Sequence, residues 1–243
     1  MPATYDRSFY DSAGAHTPKS AAEIIPLVFE YVTPRSAVDV GCGSGAWLAE
    51  FARRGVEDVL GLDGPWVTQS SLQIPPARFR VVDLGRPIEE SRRFDLVVCL
   101  EVAEHLPATQ ADTIVESLTR LGDIILFSAA IPFQGGTNHF NEQWPDYWAA
   151  RFARHGYVFV DALRPRIWSN PNVEWWYAQN SFFVVEQSAL AKSSALAEAA
   201  AKTRQLSLVH PRAYLENAAR AQSPARLFQA TLGAIKRRLL ERR

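Results

Sequence analysis

The sequence predicts an α/β fold with a seven-stranded, mostly parallel sheet, helices on both faces and an antiparallel last strand. From Ser36 onward, short runs of Val, Ile and Leu alternate with longer stretches of helical periodicity, which is typical of a parallel sheet covered by helices. The last two strand-like runs have no clear helix between them. We therefore expect the final strand to return antiparallel to its neighbours.

Five apolar runs in the first part of the chain are expected to be buried, parallel strands. They are SAVDV (36–40), DVLGLD (58–63), RFRVVDL (78–84), FDLVVCLE (94–101) and DIILFSA (123–129).

Helices are expected between these strands at 45–54 and 108–121, and Pro107 suits the start of the second. A further helix should precede the first strand, where apolar residues form a stripe at Ile24, Ile25, Leu27, Val28 and Val32.

After the fifth strand, a polar and aromatic loop (131–143) leads to a helix near 144–155 and to strands YVFVDAL (157–163) and NSFFVVEQ (180–187). The segment joining these two strands is rich in Pro, Asn and Trp, so we expect a structured loop rather than a helix. The resulting division is a domain at 1–188 and an Ala-rich, basic helical extension at 189–243.

The charge distribution follows the same division. The 243 residues carry 26 basic and 26 acidic side chains, so the formal net charge is zero. The part up to Ser188 holds 15 basic and 23 acidic residues, whereas the remainder holds 11 basic and 3 acidic ones. An acidic domain disfavours a nucleic-acid partner, because phosphates require a basic surface.

Three further patterns bear on location. No apolar run approaches the roughly 18 residues of a bilayer-spanning helix, and the first residues lack a basic and then apolar secretion signal. Cys42 and Cys99 lie inside apolar runs, without the spacing of a disulfide framework or a zinc finger. We therefore expect a cytoplasmic protein.

The segment Val38-Asp39-Val40-Gly41-Cys42-Gly43-Ser44-Gly45 lies where the first strand turns into a helix. Glycines there let the backbone approach a ligand, with the N–H groups of the helix facing it. Two alternatives must be weighed: a tight turn without any ligand, and the dinucleotide-binding pattern GxGxxG/A, which Gly41, Gly43 and Ala46 also satisfy.

Asp39 two residues before the first glycine, Gly45 completing GxGxG, and Asp83 at the end of the third strand argue against the dinucleotide pattern. The ordered acids Asp39, Asp63 and Asp83 argue against a turn without a ligand. In addition, no lysine occurs between Lys19 and Lys192, which removes the Tyr-x-x-x-Lys pair of one class of oxidoreductase from the α/β region.

The glycine loop and the ordered acids together resemble the class I S-adenosylmethionine-dependent methyltransferases, over about 36–129. The resemblance implies a Rossmann-like fold, S-adenosyl-L-methionine as the cofactor, and cofactor contacts from Asp39, Gly41, Gly43, Gly45, Asp63, Asp83, Leu84, Leu100 and Glu101.

By this resemblance, Asp39 and the three loop glycines lie at the methionine moiety, and Asp63 accepts hydrogen bonds from both ribose hydroxyls. Asp83 and Leu84 correspond to the position that contacts adenine. Leu100 and Glu101 lie beside the sulfonium.

A hydroxyl acceptor must lose a proton, and the five histidines are the candidates for the catalytic base. His105 follows the fourth strand and His139 follows the fifth, at the sheet edge where open α/β sheets bind ligands. We predict both to be catalytic. His155 precedes Gly156 at a predicted helix end, where it is expected to interact with the helix terminus.

The order Glu101-Val102-Ala103-Glu104-His105 is similar to the same segment of ubiquinone-pathway O-methyltransferases and small-RNA 2′-O-methyltransferases, in which these side chains hold a divalent metal. Carboxylate and imidazole groups suit Mg, Mn or Zn. Alternatively, Glu104 and His105 only cap a helix or line the pocket. The sequence does not choose between these interpretations.

The loop 134–144 combines two glycines with many polar side chains, as in a segment that closes over a substrate. A solvated connection with local turns at Thr137 or Asn141 is an equal alternative. Five of the seven tryptophans follow the fifth strand, and we expect them mainly to pack in the core.

The motifs TNHFNEQWPDYW, RPRIW and VEWWYAQN are similar to bacterial methyltransferases associated with glycosyltransferase or polysaccharide genes, over nearly all of 1–188. This resemblance suggests the hydroxyl of a glycan or glycolipid as the acceptor. The alternatives are a phenolic or quinone-like small molecule, or a cofactor-binding scaffold without catalysis.

Within 223–243, Phe228, Leu232, Ile235 and Leu239 recur at helical spacing among basic residues. This pattern predicts a basic amphipathic helix. It could lie on an anionic membrane, which would make the protein peripheral at the inner membrane face, or pack against the acidic domain, or have no separate task.

Overall fold

The computed structural model describes residues 7–221, with side chains from Thr17 onward. Contacts divide the chain into two units, Met1–Leu208 and Val209–Arg243. The helix predicted around Phe228 lies outside the described residues. In the second unit, the described element is α9 (Pro211–Ala221).

The first unit is built on the predicted seven-stranded sheet. Its strands are β1 (Ser36–Val40), β2 (Asp58–Asp63), β3 (Phe79–Val81), β4 (Leu96–Leu100), β5 (Ile124–Ser128), β6 (Tyr157–Val160) and β7 (Phe182–Glu186). Their order is β3-β2-β1-β4-β5-β7-β6, and β7 pairs antiparallel with both neighbours, as predicted.

The helices of this unit are α1 (Arg7–Phe29), α2 (Ala46–Arg53), α3 (Ala111–Leu121), α4 (Pro145–Ala153), α5 (Arg164–Ile167), α6 (Trp175–Asn180), α7 (Gln187–Leu190) and α8 (Ser194–Lys202). None of the described helices is both long and apolar enough to cross a membrane.

Alternate side chains of the central strands enter two apolar layers. In β4, Leu96 and Val98 pack in the layer that contains residues of α1, α2, α5 and α6, whereas Val97 and Cys99 pack with α3 and α4. Because side chains alternate across a strand, helices on both faces require apolar residues at every position. The two layers therefore explain why the central strands appear in the sequence as continuous apolar runs.

Two local predictions are wrong. The third strand is shorter than 78–84 and is not buried, since Val81 is 55% exposed. Among the described strands it lies at the edge of the sheet and pairs only with β2. The segment between the last two strands contains α5 and α6 rather than only a loop. These helices have 4 and 6 residues, too few to show a helical period in the sequence.

The compact unit includes residues 189–208, which the sequence analysis assigned to the extension. Leu196 of α8 is fully buried in the first apolar layer. The buried guanidinium of Arg164 also donates hydrogen bonds to the carbonyl oxygens of Gln205 and Leu206, at 2.9 and 2.7 Å. Residues 189–208 therefore pack on the sheet domain through both apolar and polar contacts.

Candidate active site

The glycine loop follows β1 and has a backbone that only glycine adopts readily. Gly41 has φ 83° and Gly45 has φ 77°. A Cβ on Gly41 would lie 2.4 Å from Cγ2 of Val102, which follows β4. The loop is fixed by the Gly41 N–H, which donates to the Leu62 carbonyl oxygen at 2.7 Å.

Asp39 and Asp63 meet beneath this loop because their parallel strands end at the same edge. Asp63 accepts hydrogen bonds from the N–H groups of Gly43 at 2.7 Å and Gly64 at 2.6 Å. Asp39 is 2% exposed, and its Oδ2 has no hydrogen-bond partner among the described residues. Burial raises the pKa of both carboxyls, and for Asp39 the nearby Asp63 raises the pKa further.

Asp83 and Leu84 follow β3 and have different surroundings. Leu84 is 6% exposed. The Asp83 side chain is 60% exposed; it accepts a hydrogen bond from the Gly85 N–H at 3.0 Å and lies 3.4 Å from Arg86. The structure therefore leaves this carboxylate at the surface, unlike Asp39 and Asp63.

Glu101 follows Leu100, the buried last residue of β4, and has a left-handed backbone with φ 55°. Such a conformation is uncommon for a residue other than glycine and occurs often at functional sites. The Glu101 carboxylate accepts hydrogen bonds from Gln134 Nε2 at 2.8 Å and Asn180 Nδ2 at 3.2 Å. Burial raises the pKa of this carboxyl to about 6.

Glu104, His105 and His139 converge next to Glu101. One ligand atom from each of the three lies within 4.8 Å of the others. Glu104 is fully buried, and neither of its carboxylate oxygens has a hydrogen-bond partner within the described residues. Its pKa is raised well above the usual value, first by burial and then by the charge of Glu101.

The two imidazole rings contact each other edge to face, with centroids 4.8 Å apart. His105 Nδ1 lies 3.2 Å from the Asn138 carbonyl oxygen, so this nitrogen carries the proton. Burial, followed by the neighbouring His139, lowers the pKa of His105 to about 4, and His105 is thus neutral at pH 7.

The loop after β5 is held against this cluster. The N–H groups of Phe140 and Asn141 both donate to the carbonyl oxygen of Glu104, at 2.8 and 3.0 Å. Three aromatic side chains of the same loop remain exposed: Phe133 at 83%, Phe140 at 64% and Trp144 at 40%. In contrast, Trp148 and Trp175 are buried, as expected for core residues.

The amides that hold Glu101 were not predicted from the sequence, in which Gln134 is one residue of a polar loop and Asn180 begins a predicted strand. Asn180 also donates to Gln134 Oε1 at 2.9 Å, and Gln179 donates to the same atom at 3.3 Å. A pair of amides directly before a buried apolar strand was the available signal, since such groups need polar partners when buried.

The cluster fits a divalent cation. An orphaned carboxylate and a neutral imidazole are suitable ligands, and Nδ1 of each histidine already has an acceptor, the arrangement that orients metal-binding histidines. Asp39, Asp63, Glu101 and Glu104 also form no ion pair with a basic side chain in the described part of the chain. Four buried acidic side chains that are not paired with a basic side chain of the protein favour a positively charged ligand.

Comparison with known proteins gives the family of the domain. A family model described as a methyltransferase domain matches residues 14–187. Two curated relatives are ubiquinone biosynthesis O-methyltransferases. The relative from Alkalilimnicola ehrlichii is 31% identical over 130 residues, which are 45% of this chain and 50% of the relative. The relative from Proteus mirabilis is 31% identical over 132 residues, 45% and 51% of the two chains.

The matched segment thus spans about half the length of these relatives. Among solved structures, a SAM-bound amino pentose methyltransferase from Micromonospora echinaspora has a TM-score of 0.52 at 14% identity. The similarity covers 77% of this chain and 100% of that chain. At this identity, the similarity shows a common fold.

Proposed function

Because the chain belongs to the class I S-adenosylmethionine-dependent methyltransferase family, we propose that it transfers a methyl group to a hydroxyl of a small molecule or glycan. The observation that carries this proposal is the set of buried acids without a protein cation, described above. S-adenosylmethionine carries a positive sulfonium and an α-ammonium group, which are the charges that such a site lacks. When bound, it supplies an electrophilic methyl carbon for in-line attack by an oxygen.

The residues under the glycine loop suit the cofactor. Asp39 offers an unused carboxylate oxygen to the α-ammonium group of the methionine moiety. Asp63 already accepts hydrogen bonds from the Gly43 and Gly64 N–H groups and from the Trp66 side chain, and its remaining acceptor capacity would serve the ribose hydroxyls. The adenine contact of Asp83 and Leu84 remains a prediction. The apolar Leu84 side chain would face the adenine base, and the exposed Asp83 carboxylate would face the edge of that base.

The acceptor side would be formed by His105 and His139, next to Leu100 and Glu101, which the resemblance places beside the sulfonium. We propose that a histidine takes the acceptor's proton while the fixed geometry aligns its oxygen with the methyl carbon. We assign this role to His139, because its Nδ1 faces the Glu142 carboxylate, whereas burial lowers the pKa of His105 to about 4.

A second hypothesis for the same cluster is a divalent cation held by Glu104, His105 and His139, with Glu101 beside them. A cation there would polarise an acceptor hydroxyl. Exhaustive chelation tests this hypothesis, since methyl transfer that continues at an unchanged rate would exclude it. Restoration of activity by one added cation and not by others would support it.

Two acceptor classes have specific support. The resemblance over 1–188 to polysaccharide-associated methyltransferases favours a glycan or glycolipid hydroxyl. The curated relatives, named as ubiquinone biosynthesis O-methyltransferases, favour a phenolic or quinone-like molecule. The exposed rings of Phe133 and Phe140 beside the cluster could stack on either a sugar face or an aromatic ring.

The decisive experiment incubates the purified protein and S-adenosylmethionine with glycan and phenol panels and with a cell extract. We expect an acceptor to gain the mass of a methyl group in exchange for a hydrogen. Phe140→Ala should raise the KM for that acceptor and leave the Kd for the cofactor unchanged. Tight cofactor binding without any methylated product would instead favour the scaffold hypothesis.

Cytoplasmic location, and contact of the basic C-terminal segment with an inner membrane face, also remain proposals. Binding of the full chain to anionic vesicles, compared with a chain ending after Leu208, tests the membrane contact.

A further inference from the structure

The loop after β5 is organised around one carboxylate, that of Glu142. Its Oε1 accepts hydrogen bonds from the Gly135 N–H at 2.7 Å and from His139 Nδ1 at 3.0 Å. Its Oε2 accepts a hydrogen bond from the Phe133 N–H at 2.8 Å. The Glu142 side chain is only 19% exposed, so these bonds are partly shielded from water. One side chain therefore joins both ends of the loop to the imidazole of His139.

These contacts determine the tautomer of His139. An ionised carboxylate only accepts hydrogen bonds, so the ring nitrogen that faces it must carry a proton. In the neutral ring the proton therefore lies on Nδ1, and Nε2 is the nitrogen with the lone pair. A carboxylate that binds a histidine in this way also fixes the orientation of the ring.

The ring of His139 is also confined by its other neighbours. It packs on Gly136, where a Cβ would lie only 2.3 Å from Nε2. The His139 ring also packs edge to face with the His105 ring, with 4.8 Å between the two centroids. The ring is thus held by the His105 ring, by the Gly136 backbone and by the Glu142 carboxylate.

We propose that Glu142 is a positioning residue for methyl transfer, acting through His139. This inference rests on the proposed function. Glu142 keeps the proton on Nδ1 and holds the ring so that Nε2 accepts the proton of the acceptor hydroxyl. The acceptor oxygen then forms its bond to the methyl carbon, the carbon–sulfur bond breaks, and its electron pair stays on sulfur, giving a neutral thioether.

The substitution Glu142→Gln separates this role from simple packing. The amide has the same shape but only one acceptor oxygen. If that oxygen faces Phe133, the NH₂ group faces the donors of Gly135 and His139. If it faces Gly135 and His139, the NH₂ group opposes the Phe133 N–H. The amide thus cannot satisfy all three donors, and it supports the Nδ1-protonated tautomer less well.

Glu116→Gln is the matched control, because Glu116 lies on α3 with a side chain that is 55% exposed and its ion pair to Arg120 is 3.7 Å long. The readout is the ¹⁵N chemical shift of both ring nitrogens of His139, assigned by comparison with His139→Gln. We expect the Nδ1-protonated tautomer in the wild type and in the control, and a loss of that preference in Glu142→Gln. The kcat should fall by about 10- to 100-fold, with an unchanged Kd for S-adenosylmethionine.

Glu142→Asp adds a variant that keeps the charge. It should retain the Nδ1-protonated tautomer and lose less activity than Glu142→Gln. A fall in kcat without a change of tautomer would mean that Glu142 only holds the loop, and would overturn the proposal. A change of tautomer with an unchanged kcat would overturn it as well. The tautomer can be measured even if no acceptor is methylated, so failure of the proposed function is recognised separately.

Discussion

Replacing Gly41 with alanine tests whether the glycine loop requires the absence of a side chain. Two costs are expected at this position. The positive φ of 83° costs an alanine about 1–2 kcal/mol. The new Cβ would also lie 2.4 Å from Cγ2 of Val102, so the buried backbone or side chain must move. Such overpacking typically costs about 1–3 kcal/mol.

Gly55 provides the matched control. It follows α2 with φ 98°, but a Cβ there would meet no atom within 4 Å. Gly55→Ala should therefore cost only the backbone strain, whereas Gly41→Ala should cost about 1–3 kcal/mol more in free energy of unfolding. Urea denaturation measures both values. Because the loop must shift, Gly41→Ala should also weaken binding of S-adenosylmethionine, while Gly55→Ala should not.

Val102→Ala supplies the internal check. Removing the two γ-methyl groups makes room for the new Cβ, so the double variant should be more stable than the sum of the single effects predicts. Equal destabilisation by Gly41→Ala and Gly55→Ala, with no favourable coupling to Val102→Ala, would refute the steric argument.

Two further substitutions test the cofactor and the core. Asp63→Ala should raise the Kd for S-adenosylmethionine by about 10- to 100-fold, since charged hydrogen bonds contribute about 1.5–3 kcal/mol. The control is Asp58→Ala, which removes a partly exposed ion pair and should leave this Kd unchanged. Calorimetric titration measures both values. Arg164→Met should lower the free energy of unfolding by about 3–5 kcal/mol because it leaves Asp161 and three carbonyl oxygens without their donor. Arg166→Met, at an exposed pair, should cost at most about 1 kcal/mol in the same denaturation assay, and similar losses for both variants would contradict the role of Arg164.

The fold could be predicted from the sequence where the pattern is repeated and local. Every position of β4 is buried, and its continuous apolar run predicts this directly. The helix α3 shows its buried face through Ile114, Val115 and Leu118. The edge position of β3 could not be deduced in this way, because burial there depends on how many neighbours a strand has.

The position of the proposed cofactor residues at one edge of the sheet was predictable for the same reason. Asp39 and the three loop glycines are neighbours in the sequence, and Asp63 occupies the equivalent end of the next strand. A parallel sheet brings such strand ends together without further information. Asp83 shows the limit of this rule, because its strand is at the edge and its side chain remains 60% exposed.

The surroundings of Glu101 depend on contacts between distant parts of the chain. Glu101 is held by Gln134 and Asn180, which are 33 and 79 residues away in sequence. No local spacing in the sequence predicts which residues make these bonds. The sequence predicts only that some donors must be present, because burying a carboxylate without partners costs free energy. Because Gln134 belongs to the loop that also carries His139 and Glu142, changes to that loop should alter Glu101 and the proposed base together. Under the proposed function, acceptor choice and catalytic geometry would thus be coupled through one segment, while the proposed cofactor contacts at Asp39 and the glycine loop lie outside it.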